Sequence, residues 1–337
     1  MKARLVDVAK EAGVSPKTVS NYMNGYPFMS VVTINKVRDA IARLDYVPNR
    51  SARTLRTGKI GIIGLAVPNL AAPYFAELAA MVTEAAELRG FTLLIDQTNG
   101  DRDRERRIIS GLGPQAMDGV ILSPLATSED EIAASAHSLP MVVLGERAHP
   151  AGVAYVGVDN VAAARAATEH LIRLGHERIA AIGPVLSRPL GGTWAYRMDG
   201  YEQALKAARL PIRRQWQPAV TEFSREQGAK VMEHLLRLKN PPDSIFCFSD
   251  LLAIGAMSVL HRWGLRIPAD VAVVGWDDVA EARYAWPPVT SVRAETPLIA
   301  RTAVDYLLRQ LDGESVEPLN AYVEFTVEAR ASTLGML

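Results

Sequence analysis

Lys17 and Asn21 stand four residues apart in Val14-Ser15-Pro16-Lys17-Thr18-Val19-Ser20-Asn21-Tyr22-Met23-Asn24-Gly25, a spacing that puts both on one face of a helix. A lysine ammonium can bond the acceptor atoms of guanine, and an asparagine amide can pair bidentately with adenine. Pro16, in the same first turns, is a third candidate for meeting a base edge. The segment is built to be such a helix: Ser15 is a natural N-cap, Pro16 suits the first helical position, and Val19, Tyr22 and Met23 carry an apolar stripe. Just upstream, Leu5, Val8, Ala9 and Ala12 fall at helical spacing and stop at Gly13. Small Ala9 permits close crossing, Gly13 a tight turn, and Val14 and Val19 a shared core, which reads as a helix-turn-helix. Such a unit lays its second helix in the major groove of DNA, N-terminus first. A bare helical hairpin is the alternative reading.

The elements around it support the first reading. A third helix is expected from about Thr33 to Leu44, with Ile34, Val37, Ile41 and Leu44 on one face. From Pro48 to Lys59 the chain turns polar and basic around one large apolar residue, Leu55, and reads as a linker. Beyond it, apolar strands alternate with amphipathic helices. Strands are expected at Ile60 to Val67, Thr92 to Asp96, Gly119 to Leu122, Met141 to Leu144, Arg178 to Ile182, Ser244 to Phe248 and Val271 to Gly275. Helices are expected about Tyr74 to Arg89, Arg102 to Leu112, Val161 to Leu174, Trp194 to Ala208, Arg225 to Leu238, Leu251 to Trp263 and Pro297 to Leu311. That alternation implies parallel βαβ units, and this many strands suits two doubly wound halves.

The chain has 337 residues with 37 basic and 37 acidic side chains, so its net charge is zero. The balance is uneven along it: residues 1–59 hold 11 Lys and Arg against 4 Asp and Glu, a charge of +7, leaving −7 for the remainder. A basic module joined to an acidic body is the pattern of a nucleic-acid-binding protein, with a merely solvated basic face as the alternative. The lone Cys247 permits no intrachain disulfide, and neither a signal peptide nor a membrane-length apolar run is found. A cytoplasmic protein without membrane association is expected. An enzyme is not expected. Gly111 to Ala116 matches G-x-G-x-x-A but follows a helix and precedes a strand, the reverse of a dinucleotide-binding turn. No phosphate-loop pattern occurs, and the six His and one Cys have no metal-ligand spacing. Neither a cofactor nor a metal is expected. A transport receptor would need an export signal and no DNA-binding head.

With these motifs in order, the chain resembles the lactose-repressor (LacI) family of bacterial transcription regulators. The resemblance runs through Val14 to Ser20, Leu44-Asp45-Tyr46-Val47-Pro48-Asn49, Pro73-Tyr74-Phe75, Asp118 to Pro124 and Gly275-Trp276-Asp277-Asp278. It implies a small all-α helix-turn-helix head at 1–47, a hinge helix at 48–59 and an α/β body at 60–333. The body would be two Rossmann-like lobes resembling periplasmic sugar-binding proteins, the first about 60–158 and 290–320, the second about 159–289 and 321–333. By the same resemblance Ser15, Thr18, Ser20, Asn24 and Thr33 would hold backbone phosphates, and Leu55 would wedge into the minor groove. A homodimer reading an inverted-repeat operator is expected, because one recognition helix spans too few base pairs. Asn21 and Ile34 stand where many members carry Arg, and Val6 where a lactose-type repressor carries Tyr.

For the body the resemblance implies a small ligand, a sugar or sugar derivative, bound between the lobes. Tyr74 and Phe75 would be walls, Ser123 a polar contact, Arg197 a fork-shaped donor, Phe223 a stacking surface and Asp277 a carboxylate for hydroxyls. Ser249 and Asp250 would complete the site, in place of the family's frequent Asn-Asp pair, and Ala72 replaces the usual Asn. Core packing competes with ligand contact as the role of Tyr74, Phe75 and Phe223.

Overall fold

The computed structural model describes residues 3–23, 26–46, 59–111, 117–136, 138–145, 150–185 and 192–335. The chain divides into two compact units, residues 1–61 and 62–337.

The first unit is three helices, α1 (Leu5–Ala12), α2 (Pro16–Met23) and α3 (Val31–Arg43). Gly13 ends α1 with φ 64°, a conformation that costs glycine nothing. Ser15 Oγ accepts the Thr18 N–H at 3.0 Å and opens α2. The third helix starts earlier than its apolar face implies, at Val31, because Ser30 Oγ accepts the Thr33 N–H at 3.2 Å. Val8, Ala9, Ala12, Val19, Val37, Ala40 and Tyr46 form the core, with Val14 packed against it.

The second unit contains two sheets. In chain order its elements are β1 (Ile62–Val67), α4 (Pro73–Glu87), β2 (Thr92–Gln97), α5 (Arg102–Ile109), β3 (Gly119–Leu122), α6 (Glu129–Ser135), β4 (Met141–Leu144), β5 (Ala154–Val158), α7 (Asn160–Arg173), β6 (Ile179–Ile182) and α8 (Thr193–Ala207). They continue with α9 (Arg225–Leu236), β7 (Ser244–Cys247), α10 (Asp250–Arg262), β8 (Ala272–Trp276), α11 (Ala280–Arg283), β9 (Thr290–Ala294), α12 (Thr296–Leu311), β10 (Asn320–Val323), β11 (Phe325–Glu328) and α13 (Ala331–Leu334). The first sheet runs β10-β5-β4-β3-β1-β2, all parallel. The second runs β11-β9-β8-β7-β6, parallel except for β11 against β9.

Each sheet is covered on both faces, as the unbroken burial of strands such as Gly119–Leu122 and Ser244–Cys247 requires. In the first lobe Leu78, Val82, Ile299 and Leu307 lie on one side, and Ile108, Ile109 and Ile132 on the other. In the second, Met232, Leu235, Leu252 and Ala256 face Ala163, Ala167, Tyr201 and Leu205 across the sheet. Helices α9 and α10 meet backbone to backbone. A Cβ at Gly228 would fall on the Leu252 carbonyl oxygen, and one at Gly255 on that of Arg225.

The chain passes between lobes after Val158, after Ala294 and between Val323 and Phe325. Two lobe boundaries therefore shift. The segment from 290, expected in the first lobe, begins with β9, which extends the second sheet by pairing Val274 with Thr290 and Trp276 with Val292. The segment from 321, expected in the second, lies in β10, which pairs Asn320 with Tyr155 at the edge of the first sheet. Strand pairing decides lobe membership here, and pairing is a long-range relationship.

Candidate functional site

On the head, Pro16 and Lys17 are exposed and Asn21 half-buried, with Lys17 and Asn21 on the side of α2 away from buried Val19. Ser15 Oγ and Thr18 Oγ1 lie 2.8 Å apart, as do Ser30 Oγ and Thr33 Oγ1, so three of the five expected phosphate-holding residues stand at helix starts. Ser20 is half-buried in α2. Asn24 and Leu55 lie outside the described residues. Missed in the sequence is the apolar approach to α3: Phe28, Val31 and Val32 are all exposed.

In the body a cleft of about 550 Å³ opens at the carboxyl ends of the strands, where α/β folds bind ligands. All eight residues expected there line it: Tyr74, Phe75 and Ser123 from the first lobe, and Arg197, Phe223, Ser249, Asp250 and Asp277 from the second. Tyr74 and Phe75 open α4 with ring centroids 5.1 Å apart, edge to face. Tyr74 packs against the cores of both lobes, and Phe223 against both faces of the second, so wall and core are one role for them. Ser123 follows β3 and is anchored by its N–H to the Ala66 carbonyl at 2.9 Å.

Arg197 lies on α8, buried to 7% exposure. Its Nε donates to Asn160 Oδ1 at 3.0 Å and its Nη1 to the Phe248 carbonyl. The guanidinium Cζ stands 3.9 Å from the centroid of the Trp276 ring, a cation–π stack that holds the fork flat. Asn160 and Trp276 line the cleft and were missed, although Trp276 stands inside the Gly275-Trp276-Asp277 motif. Trp194, also missed, lines the cleft too, and its indole Nε1 is buried with no partner among the described residues.

Ser249 and Asp250 carry hydrogen bonds that the sequence does not foretell. Ser249 Oγ caps α10, accepting the Leu252 N–H at 3.3 Å. Asp250 has no exposed surface: Oδ1 accepts the Ser291 hydroxyl at 2.7 Å and Oδ2 the Val279 N–H at 2.9 Å. Burial pushes its carboxyl up to about 7, against the pull of those two hydrogen bonds. Gly275 must lack a side chain because a Cβ there would fall on Asp250 Oδ1. Both residues line the cleft, and both tie its wall together through these hydrogen bonds. In the first lobe Glu105, fully buried and unforeseen, does the same work. Its carboxylate accepts the N–H groups of Leu125, Ala126 and Thr127 at 2.8, 3.0 and 2.7 Å, fixing the loop that follows Ser123.

Known proteins match both parts of the chain. The family of bacterial regulatory proteins of the lacI type matches residues 4–49, and the family of periplasmic binding proteins and sugar binding domains of LacI regulators matches residues 60–328. The chain belongs to the LacI family. It is 32% identical to the transcriptional repressor PurR of Actinobacillus pleuropneumoniae serotype 3 over 327 residues, 97% of this chain and 96% of that one. Among solved structures, the Lac repressor dimer bound to operator and an anti-inducer superposes with a TM-score of 0.83 at 26% identity, covering 99% of this chain and 100% of that one. A complex of the regulator CelR with cellobiose superposes with a TM-score of 0.73 at 32% identity, covering 98% and 99%. This LacI-family chain is thus a DNA-binding transcription regulator with a helix-turn-helix head and a ligand-binding body. No helix among its described residues is long and apolar enough to cross a membrane.

Proposed function

We propose that the protein is a dimeric repressor whose operator affinity is set by a sugar of about two rings bound between its lobes. The cleft carries this reading. It combines a carboxylate, Asp277, and a stacked guanidinium, Arg197, with the aromatic walls Tyr74, Phe75 and Phe223. Charged forks fix neighbouring hydroxyls while ring faces cover the apolar side of a sugar. A volume of about 550 Å³ is more than a single pyranose fills and is in the range that encloses a drug-sized ligand. The similarity to CelR, solved with cellobiose, points the same way. A purine is the second reading, favoured by the likeness to PurR and by aromatic walls that suit a flat base.

On the DNA side, Pro16, Lys17 and Asn21 read bases, Ser15, Thr18, Ser20, Asn24 and Thr33 hold phosphates, and Leu55 is the minor-groove wedge. Two heads of a homodimer on an inverted repeat supply the specificity that one helix lacks. The test is calorimetry with a panel of disaccharides, monosaccharides and purine bases, followed by operator binding with each hit, on DNA selected from a random pool. A disaccharide that binds and shifts operator affinity supports the first reading. A purine that does so, with no sugar bound, replaces it with the second.

A further inference from the structure

The loop 277–279, at the end of β8, holds a conformation that residues with side chains avoid. Asp277 has φ 106° and Asp278 φ 53°, where Cβ crowds the backbone. Such geometry persists only where surroundings over-determine it. Here every amide of the loop is held: Asp277 N–H by the Val292 carbonyl at 2.9 Å, Asp278 N–H by Ser291 Oγ at 3.1 Å, and Val279 N–H by Asp250 Oδ2 at 2.9 Å. The buried carboxylate of Asp278 forms an ion pair with Arg330, Nη1 to Oδ1 at 2.6 Å. That same Nη1 donates to the Val289 carbonyl at 2.7 Å, tying the loop to the lead-in of β9. Asp250 and Ser291 have no exposed surface, and neither Ser291 nor Arg330 lines the cleft.

We propose that Asp250, Ser291 and Arg330 are positioning residues for Asp277. A buried acid on α10, a hydroxyl on β9 and a guanidinium just before α13 fix the strand-end loop, and so the Asp277 carboxylate at the cleft. None of the three touches the ligand. The proposal rests on the reading of Asp277 as a ligand contact. It explains why a carboxylate rather than an apolar side chain fills the space under Gly275: two donors aimed at one buried point need two acceptor oxygens.

Hydrogen exchange of the ligand-free chain tests the first half. In Asp250→Ala the Val279 amide should exchange at least tenfold faster, with Val273 and Val274 of β8 at wild-type rates. Asp250→Asn keeps an oxygen for Val279 and can donate to Ser291 Oγ, so it should restore most of the protection. Should Asp250→Ala fail to fold, Ser291→Ala removes the acceptor of the Asp278 N–H, and the Asp278 amide is read instead. Wild-type rates at these amides overturn the proposal.

Calorimetry with cellobiose as probe tests the second half through a double-mutant cycle. Ser291→Ala should weaken binding at least tenfold when Asp277 is present. In an Asp277→Ala background it should weaken it less than twofold, because it acts only through that carboxylate. Equal losses in both backgrounds would make the network a general support and overturn the positioning role. If the wild-type chain takes no cellobiose, cellobiose is not its ligand, and the exchange rates alone decide whether the loop is held as proposed.

Discussion

Glu77 Oε1 accepts the backbone N–H of Ala280 at 3.2 Å, a hydrogen bond from α4 of the first lobe to the start of α11 in the second. It joins the helix that Tyr74 and Phe75 open to the residue just past the Asp277 loop. Lobe closure and the proposed ligand carboxylate therefore meet within a few residues. A hydrogen bond to a charged group contributes about 1.5–3 kcal/mol when desolvated and less where water competes. Glu77→Ala should loosen the cleft by about 1 kcal/mol. Hydrogen exchange at the Ala280 amide should rise several-fold while buried Val274 stays protected, and Glu77→Gln should recover part of the effect. An unchanged Ala280 amide in Glu77→Ala would remove the latch.

Stability should depend on pH through Asp250. Its folded carboxyl titrates at about 7 rather than at the ordinary 3.8, with burial the main cause. The folded chain thus keeps a proton that the unfolded chain releases. The stabilisation is full below 3.8 and is lost as pH rises to about 7, at about 1.4 kcal/mol per pH unit. Buried His170 works the other way, since burial lowers its pKa and stability falls as pH drops below 6.5. Comparison with Asp250→Asn isolates the Asp250 contribution. Urea unfolding between about pH 5 and pH 8 should show wild type losing stability relative to the variant. Parallel profiles would contradict this.

Arg197 should not be replaceable by lysine. A lysine keeps the charge but cannot lie flat on Trp276 while bonding Asn160 and the Phe248 carbonyl together. Arg197→Lys should lower affinity for the effector found by the panel about tenfold, roughly 1.4 kcal/mol, with little change in ligand-free operator binding. Titration calorimetry giving wild-type affinity would show that charge alone suffices.

How much of this was legible in the sequence depended on distance along the chain. Helix caps at Ser15 and Gly13, the face shared by Lys17 and Asn21, and the strand–helix alternation are local patterns. The cleft residues were found through matched motifs, and all eight line it. What escaped was set by partners far away. Nothing local to Asp250 foretells that Ser291 and Val279 donate to its two oxygens. Glu105 reads as a surface acid in Arg-Asp-Arg-Glu-Arg-Arg until the loop N–H groups of 125–127 are found around it. The strands β9 and β10 change lobes because pairing, not composition, places them.

On the head, Lys17→Ala and Asn21→Ala should each cost about 1–3 kcal/mol and relax preference at one base position, whereas Thr33→Ala should weaken all sequences alike. Selection from random DNA with each variant separates the two outcomes. A motif unchanged in both reader variants would take Lys17 and Asn21 out of base recognition. Affinity should also fall steeply with added salt as bound phosphates release counterions.

A ligand acts on the operator only by binding one arrangement of the lobes better than another, and the proposed reading assigns that difference to Asp277. Coupling is reciprocal, so a tenfold change in operator affinity corresponds to about 1.4 kcal/mol in ligand binding. The most direct measurement is the anisotropy of labelled operator DNA titrated with wild type and with Asp277→Ala, each with and without the effector. Wild type should shift its operator affinity at least tenfold on adding effector, while Asp277→Ala binds operator normally without it and shifts less than twofold with it. A variant that still responds at the wild-type effector concentration would contradict the cleft as the sensor.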